Sequence, residues 1–213
     1  HGLIERWKRV PHAEGYESKI DAVLDTVPHL RGAVEAGYDD AQGCTYAIAP
    51  SLADMHRGIG LMQEGRVLPQ PGLLANVPTV TDPTMAPAGT HVLSLEALYT
   101  PYGLEGGWAS SHEPKRWLEL FGSLAQPGFM QSVRDWRVLT PDRYEREFHL
   151  PKGHATSFAG GPLAALRNPN PELTRYETDV KGLYLTGAAT FPGAGVWGAS
   201  GRNAALTVLR ATT

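Results

Sequence analysis

The sequence lacks several features that would assign it to a well-defined class of protein. Its one cysteine, Cys44, excludes an intramolecular disulfide, so a reducing compartment is expected. No apolar run approaches the ~20 residues of a membrane-spanning helix. The residues after His1 lack the basic and apolar regions of a signal peptide. These absences predict a cytoplasmic protein and leave peripheral attachment to a membrane open.

Charge of either sign is also scarce. Charged residues make up 19% of the chain and the formal net charge is −3, which favours neither a nucleic-acid partner nor an anionic membrane surface. The 8 histidines show no metal-ligand spacing, so no metal site is expected. Ser157 and Ser200 lack the G-x-S-x-G setting of a hydrolase nucleophile. The sequence identifies no catalytic base.

Glycine and proline are abundant, with 24 and 17 residues respectively, which predicts many turns and short elements. Alternating apolar and polar residues predict strands at 4–10 and 17–24, which could pair with each other. Residues 73–81 and 91–99 are apolar enough to form strands inside a sheet. A short buried strand is predicted at 182–186.

Capping and proline signals predict the helices. Ser51 can cap a helix running to about Glu64, with an apolar stripe of Leu52, Met55, Ile59 and Met62. Further helices are predicted at 113–124, 141–148 and 202–209. The first of these is expected to bury Trp117, Leu118, Leu120, Phe121 and Leu124. The pattern favours an α+β fold with a mixed, mainly antiparallel sheet and packed helices.

Residues 193–198, GAGVWG, match the G-x-G-x-x-G fingerprint of dinucleotide-binding proteins. A Rossmann unit also needs an acidic residue about 20 positions further on, whereas residues 199–213 contain no Asp or Glu. A glycine-rich turn before a helix still presents unpaired amides that favour an anionic or electron-rich ligand. The alternative is a turn selected for tight packing, and the spacing does not decide between the two.

The wider segment GLYLTGAATFPGAGVWGASGRNAA, residues 182–205, closely resembles the final FAD-contacting motif of phytoene-desaturase-like flavoproteins. The resemblance is closest to the branch of pyridine nucleotide-disulphide oxidoreductase domain-containing proteins. It extends upstream through residues 77–83, 86–95, 99–102, 139–142 and 150–153.

The resemblance implies a discontinuous FAD domain. Residues 1–150 would belong to the substrate domain, and residues 151–213 would return to complete the flavin site with a strand, a turn and a helix. Gly187 and Ala188 would lie along the ribityl–pyrophosphate stretch. Related flavoproteins often carry an acidic residue in place of Ala188, so the resemblance does not imply that ribityl contact. The amides at the isoalloxazine N1/O2 edge, which stabilise reduced flavin, would belong to Gly195, Val196, Trp197 and Gly198.

The function implied by the resemblance is FAD-dependent dehydrogenation or oxidation of an apolar, isoprenoid- or lipid-like substrate. The chain would be the carboxyl-terminal part of such an enzyme, with the amino-terminal FAD-binding half as its partner. Alone, it is expected to bind FAD weakly or not at all and to show no turnover. An apolar face left uncovered would favour homodimers. Two alternatives remain: a non-enzymatic small-ligand or protein-interaction module, and a nicotinamide-dependent dehydrogenase.

Overall fold

The structure is a computed structural model that describes residues 2–10, 14–38, 45–154, 170–193 and 198–212. The chain divides into two compact units. We call residues 13–155 the sheet unit, and residues 1–12 together with 156–213 the terminal unit. The sheet unit is continuous in sequence, whereas the terminal unit combines both ends of the chain.

Strands occur in the sheet unit, and helices occur in both units. The strands are β1 (Glu17–Leu24), β2 (Thr45–Ile48), β3 (Leu73–Asn76), β4 (His91–Leu98) and β5 (Val133–Leu139). The helices of the terminal unit are α1 (Gly2–Trp7), α7 (Glu172–Arg175) and α8 (Ala199–Thr212). The helices of the sheet unit are α2 (Arg31–Glu35), α3 (Leu52–Gln63), α4 (Glu113–Leu124), α5 (Phe129–Ser132) and α6 (Pro141–Phe148).

The strands form one sheet in the order β2-β3-β4-β1-β5, and each of the four pairings is antiparallel. The predicted α+β class is therefore confirmed. β3 and β4 lie inside the sheet, as their apolar sequences predict. The edge strands β2 and β5 were not predicted. The charged side chains that mark β5 as an edge strand also interrupt its apolar pattern.

One face of the sheet packs against α4. Ile20, Ala22 and Leu24 point inward from alternate positions of β1 and are almost completely buried. From α4, the Trp117 and Phe121 side chains are fully buried in the same cluster. Because burial of apolar surface is the dominant favourable term in folding, this cluster is the main source of stability in the sheet unit.

The helix predicted at 113–124 is confirmed as α4. Pro114 lies in its first turn, where a missing amide hydrogen removes no intrahelical bond. Leu118 is buried with Trp117 and Phe121, as predicted, whereas Leu120 and Leu124 are half-buried at the margin.

The cap of α3 is confirmed, whereas the residues of its apolar stripe are not buried. Ser51 Oγ accepts a hydrogen bond from the Asp54 amide at 3.1 Å. Leu52 is 78% exposed and Ile59 is 42% exposed, and Met55 and Met62 are only half-buried. The buried residue of α3 is Gly58, which lies against the ring of Tyr99. A small residue allows this close approach, and the neighbouring large side chains stay outside.

The strand predicted at 4–10 is wrong. Residues 2–7 form α1, with Leu3 buried and Ile4 exposed. Over so few residues, apolar positions can satisfy a helical period as well as a strand period.

The strand predicted at 182–186 is also wrong. The structure has only an isolated bridge between Glu177 and Tyr184, and Leu183 is 43% exposed. The strand predicted at 73–81 ends at Asn76 because Pro78 and Pro83 begin short 3₁₀ turns.

Within the described residues, no helix combines the length and apolar character needed to cross a bilayer.

Candidate functional site

The structure describes three of the six predicted flavin-contacting residues. Gly187 and Ala188 begin a tight turn in the terminal unit, and Gly198 lies immediately before α8. Gly195, Val196 and Trp197 lie outside the described residues. The geometry of the site is therefore built from residues 170–193 and from α8.

A buried glutamate anchors this segment to α1. The Glu172 side chain is 1% exposed, and its two oxygens accept hydrogen bonds from Arg6 Nη2 at 3.3 and 3.1 Å. Trp7 Nε1 donates a third bond to Glu172 Oε1 at 2.7 Å. A buried carboxylate needs such donors, because an unpaired charge away from water is very costly. Glu172 therefore fixes the start of the segment that leads to the glycines.

A chain of hydrogen bonds continues from α7 to the turn. The Phe191 amide donates to the Leu173 carbonyl at 2.8 Å. The Tyr176 hydroxyl donates to the Phe191 carbonyl and accepts a bond from Asn203 Nδ2 of α8 at 3.0 Å. Tyr176 is buried, so its hydroxyl requires these partners. The network ties the turn to α7 on one side and to α8 on the other.

Two buried hydroxyls close the turn itself. Thr190, which is 1% exposed, donates to the Gly187 carbonyl from its amide at 3.1 Å and from its hydroxyl at 2.9 Å. The Gly193 amide donates to the Thr190 carbonyl at 2.7 Å. Ser200 Oγ lies 3.3 Å from the carbonyl oxygens of both Thr190 and Phe191. The carbonyl groups of Gly187, Thr190 and Phe191 are thus bonded within the unit.

The described glycines of the site are open to their surroundings. Gly187 has φ +103° and Gly198 has φ +66°, in the left-handed region that favours glycine. Among the described residues, nothing beyond the chain neighbours lies within 4 Å of a Cβ built at Gly187, Gly198 or Gly201. All three are exposed. Apart from the chain neighbours, no side chain of the described residues would obstruct a planar group that approaches the main chain at these positions.

The start of α8 adds favourable electrostatics. The first helical hydrogen bond in the described part of α8 runs from the Arg202 amide to the carbonyl four residues earlier, that of Gly198, at 3.0 Å. The amides before it belong to the unpaired first turn of a helix, where the dipole favours negative charge. The sequence of α8 contains no acidic residue and has Arg202 near its start. This end of the helix therefore suits an anionic or electron-rich group.

The sequence did not indicate the residues that hold the turn. Glu172, Tyr176 and Ser200 are buried polar side chains, and nothing in their spacing distinguishes them from surface residues. Only their partners in the fold, which are distant in sequence for Glu172 and Tyr176, identify their role. Among the described residues, no cluster of His, Cys, Asp or Glu has the composition of a metal site.

A separate buried carboxyl group occurs in the sheet unit. Glu17 of β1 is 9% exposed. Burial raises the pKa of Glu17, the Glu96 carboxylate raises it further, and Lys19 lowers it. Burial also raises the pKa of Tyr144 on α6, with additional contributions from the carboxylates of Glu17 and Glu96. These groups form a polar patch on β1, β4 and α6.

Comparison with curated proteins finds relatives over most of the chain. It is 35% identical over 202 residues to pyridine nucleotide-disulfide oxidoreductase domain-containing protein 2 of Mus musculus, covering 91% of this chain and 35% of that protein. It is 29% identical over 138 residues to the neurosporene-forming phytoene desaturase of Rhodobacter capsulatus, covering 62% and 26%. It is 30% identical over 158 residues to the chloroplastic prolycopene isomerase 2 of an Oncidium hybrid cultivar, covering 70% and 26%.

The chain spans about a third of the length of the two mammalian relatives that it matches over 91% of its own length. No protein-family model matches the chain.

Proposed function

Because this chain is related in sequence to the phytoene-desaturase-like oxidoreductases, we propose that it is the carboxyl-terminal part of an FAD-dependent oxidoreductase. The observation that carries the proposal is that Gly187 and Gly198, two glycines of the family's closing motif, are exposed. The parent enzyme would oxidise or dehydrogenate an apolar substrate. Phytoene and prolycopene, named for two relatives, are isoprenoids and support that substrate class.

The described residues fit one side of a flavin site. The three described positions that the motif assigns to the cofactor are the exposed Gly187 and Gly198 and the half-buried Ala188, none of which carries a large side chain of its own. Ala188 offers no carboxylate for a ribityl hydroxyl, but it leaves main-chain contacts unaffected. The first turn of α8 provides amides without intrahelical acceptors. These groups suit the electron-rich edge of an isoalloxazine ring or a phosphate.

The exposed side of α8 supports the proposal that another protein segment packs against it. Gly198, Gly201 and Ala205 are spaced at intervals of three and four residues, so they share one side of the helix. All three are exposed, and Leu209 continues the same side with 60% of its surface exposed. A surface of small residues ending in a leucine suits close packing of another segment. We assign that segment to the amino-terminal FAD-binding half.

FAD, when bound, supplies the oxidising chemistry by accepting a hydride from the substrate. The contribution of this chain is positional and electrostatic. Amides in the first turn of α8, which have no acceptor within the helix, stabilise negative charge placed beside them. Thr190 and Ser200 keep the carbonyl groups of Gly187, Thr190 and Phe191 bonded within the unit, which preserves the conformation of the turn. The described residues of the turn offer no general base, and this mechanism requires none from them.

The 213-residue chain alone is expected to bind FAD about 100-fold more weakly than the longer protein, because the phosphate-binding helix of the other half is missing. Titration of FAD fluorescence with the purified chain measures this affinity. The same titration is repeated with the complete reading frame, whose sequence before His1 should encode a strand–GxGxxG–helix unit. Tight, stoichiometric FAD binding by the isolated chain would contradict the proposed division of the site.

Gly201→Ala separates stability from flavin binding. The position is helical and exposed. Apart from the two chain neighbours and the backbone of α8 itself, no atom of the described residues lies within 4 Å of the added Cβ. Alanine should therefore raise the free energy of unfolding by about 0.5 kcal/mol through helix propensity. It should also weaken FAD binding by the longer protein about ten-fold, because a methyl group enters the surface assigned to the FAD-binding half.

The matched control is Gly32→Ala in α2, which is also helical, exposed and free of close neighbours among the described residues. It should stabilise its helix without changing FAD affinity. Unchanged FAD affinity in Gly201→Ala would mean that this side of α8 does not pack against the FAD-binding half.

A further inference from the structure

The sheet unit contains a cleft that flavin chemistry does not explain. It has a volume of about 450 Å³ and lies among α4, β5, α6 and the 3₁₀ turn Trp108–Ser110. This volume falls within the range of small-molecule sites, which is roughly 300–1,000 Å³. Every residue that lines the cleft belongs to the described part of the sheet unit.

The cleft has two indole walls. Trp108 Nε1 donates hydrogen bonds to the carbonyl oxygens of Pro101 at 3.0 Å and Tyr102 at 3.3 Å. Its ring also meets the buried Trp117 ring edge-on, with centroids 5.9 Å apart. Trp136, on the edge strand β5, is 36% exposed. One indole is thus fixed in orientation before any ligand arrives, which lowers the entropic cost of binding.

The charged lining is predominantly positive. It consists of three cations, Lys115, Arg143 and Arg146, and one anion, Asp142. Arg146 Nη1 pairs with Asp142 Oδ2 at 3.3 Å. The other two cations pair with carboxylates that do not line the cleft: Lys115 with Glu119 at 3.5 Å and Arg143 with Glu147 at 2.7 Å. Each carboxylate occupies only some of the N–H donors of its cation, so a ligand carboxylate in the cleft can accept hydrogen bonds from the remaining donors.

One of the cations is held in place. Arg143 donates from Nη1 to the Val138 carbonyl at 2.6 Å and from Nε to Glu147 at 2.7 Å. The guanidinium group has a third nitrogen, Nη2, that can donate to a ligand anion. A fixed guanidinium group beside planar aromatic walls is a favourable arrangement for a carboxylate carried on an aromatic ring.

We propose that this cleft binds a small aromatic carboxylate, with its ring against the indoles and its carboxylate within reach of the three cations. The proposal stands independently of FAD binding, because it uses only residues of the sheet unit. It adds an anionic ligand to a protein whose proposed substrate is apolar.

Titration calorimetry of the full chain with 2-naphthoate tests the site. The expected result is saturable 1:1 binding that is at least about ten-fold tighter than binding of the neutral 2-naphthylmethanol. Lys115→Gln and Arg146→Gln should each weaken 2-naphthoate about three- to five-fold, since removing an exposed cation costs at most about 1 kcal/mol. Both side chains are more than 60% exposed, at 64% and 61%, so the fold should tolerate the changes.

Arg134→Gln is the matched control. Arg134 is a 54% exposed cation on β5, the strand that carries Trp136, but it pairs with Asp25 and does not line the cleft. It should leave 2-naphthoate affinity unchanged. Equal affinity for 2-naphthoate and 2-naphthylmethanol would overturn the proposal, as would a double Lys115→Gln, Arg146→Gln variant that binds 2-naphthoate normally. Displacement of 2-naphthoate by an equal concentration of inorganic phosphate would also overturn it, because the ring would then contribute nothing.

Discussion

Trp117→Ala should lower the free energy of unfolding of the sheet unit by about 3–5 kcal/mol. The Trp117 side chain is completely buried between the sheet and the rest of α4. Its removal would leave a large cavity and would also remove the edge-on contact with Trp108. Guanidinium denaturation of the purified chain, followed by far-ultraviolet circular dichroism, measures the loss.

Trp117→Phe should cost much less, about 1 kcal/mol. Trp117 Nε1 is buried and has no hydrogen-bond partner among the described residues. Phenylalanine keeps most of the apolar volume and removes this unsatisfied donor, whose burial costs about 1–3 kcal/mol. Leu52→Ala is the surface control, because Leu52 is 78% exposed and should change stability by less than about 0.5 kcal/mol. Similar losses for the alanine and phenylalanine variants would mean that the indole nitrogen has a partner that stabilises the core.

Sequence patterns predicted the elements whose cause is local. The caps and prolines at the starts of α3, α4 and α6 act within one turn, so their positions are visible in the sequence. β1 was predicted from alternation over eight residues, and β4 was predicted from an apolar run of the length of a strand. The sequence could not predict which residue of α3 is buried. Gly58 is buried because it packs against Tyr99, which is distant in sequence.

Elements that depend on distant partners were predicted poorly. Residues 2–7 form a helix that binds Glu172, which lies more than 160 positions away in sequence. β5 was missed because its exposed edge carries Arg134, Asp135 and Arg137, which break the apolar pattern. Residues 182–186 are apolar and resemble a strand, but the structure gives them one isolated bridge instead of a ladder partner.

The candidate site was predicted through family resemblance rather than through local physics, and that resemblance is confirmed by the curated relatives. The residues alone indicated only that main-chain amides without intrahelical acceptors follow a glycine-rich segment. The structure adds that Gly187 and Gly198 are exposed, with no side chain covering their Cα atoms among the described residues. Sealed glycines would have favoured a turn selected for packing alone. The contacts assigned to Gly195, Val196 and Trp197 stay predictions.

The second large effect is expected at the anchor of the terminal unit. Arg6→Ala should lower the stability of that unit by about 2–3 kcal/mol. Breaking a buried ion pair costs about 3–5 kcal/mol, and the value is reduced because the Arg6 side chain is 39% exposed. Arg6 Nε is also buried without a hydrogen-bond partner among the described residues, so the pair is not ideal. Hydrogen exchange of residues 170–193 and of α8 measures the loss locally.

Lys8→Ala is the matched control for this prediction. Lys8 lies just after α1 and pairs with Glu5 at 3.3 Å, but both side chains are more than half exposed. Such a pair contributes about 0–1 kcal/mol, so exchange in the terminal unit should barely change. Glu172→Gln should cost about 1 kcal/mol, since the amide oxygen still accepts from Trp7 and Arg6 keeps partial access to water.

The distribution of the effect within the chain tests the structural argument. Glu172 begins α7, and the Leu173 carbonyl accepts a hydrogen bond from the Phe191 amide. Phe191 directly follows the turn that begins at Gly187. Faster exchange in Arg6→Ala should therefore appear in residues 170–193 and in α8 while the sheet unit stays protected. If protection fell equally in β1 and β4, the two units would unfold together, and Arg6 would not be a local anchor of the candidate site.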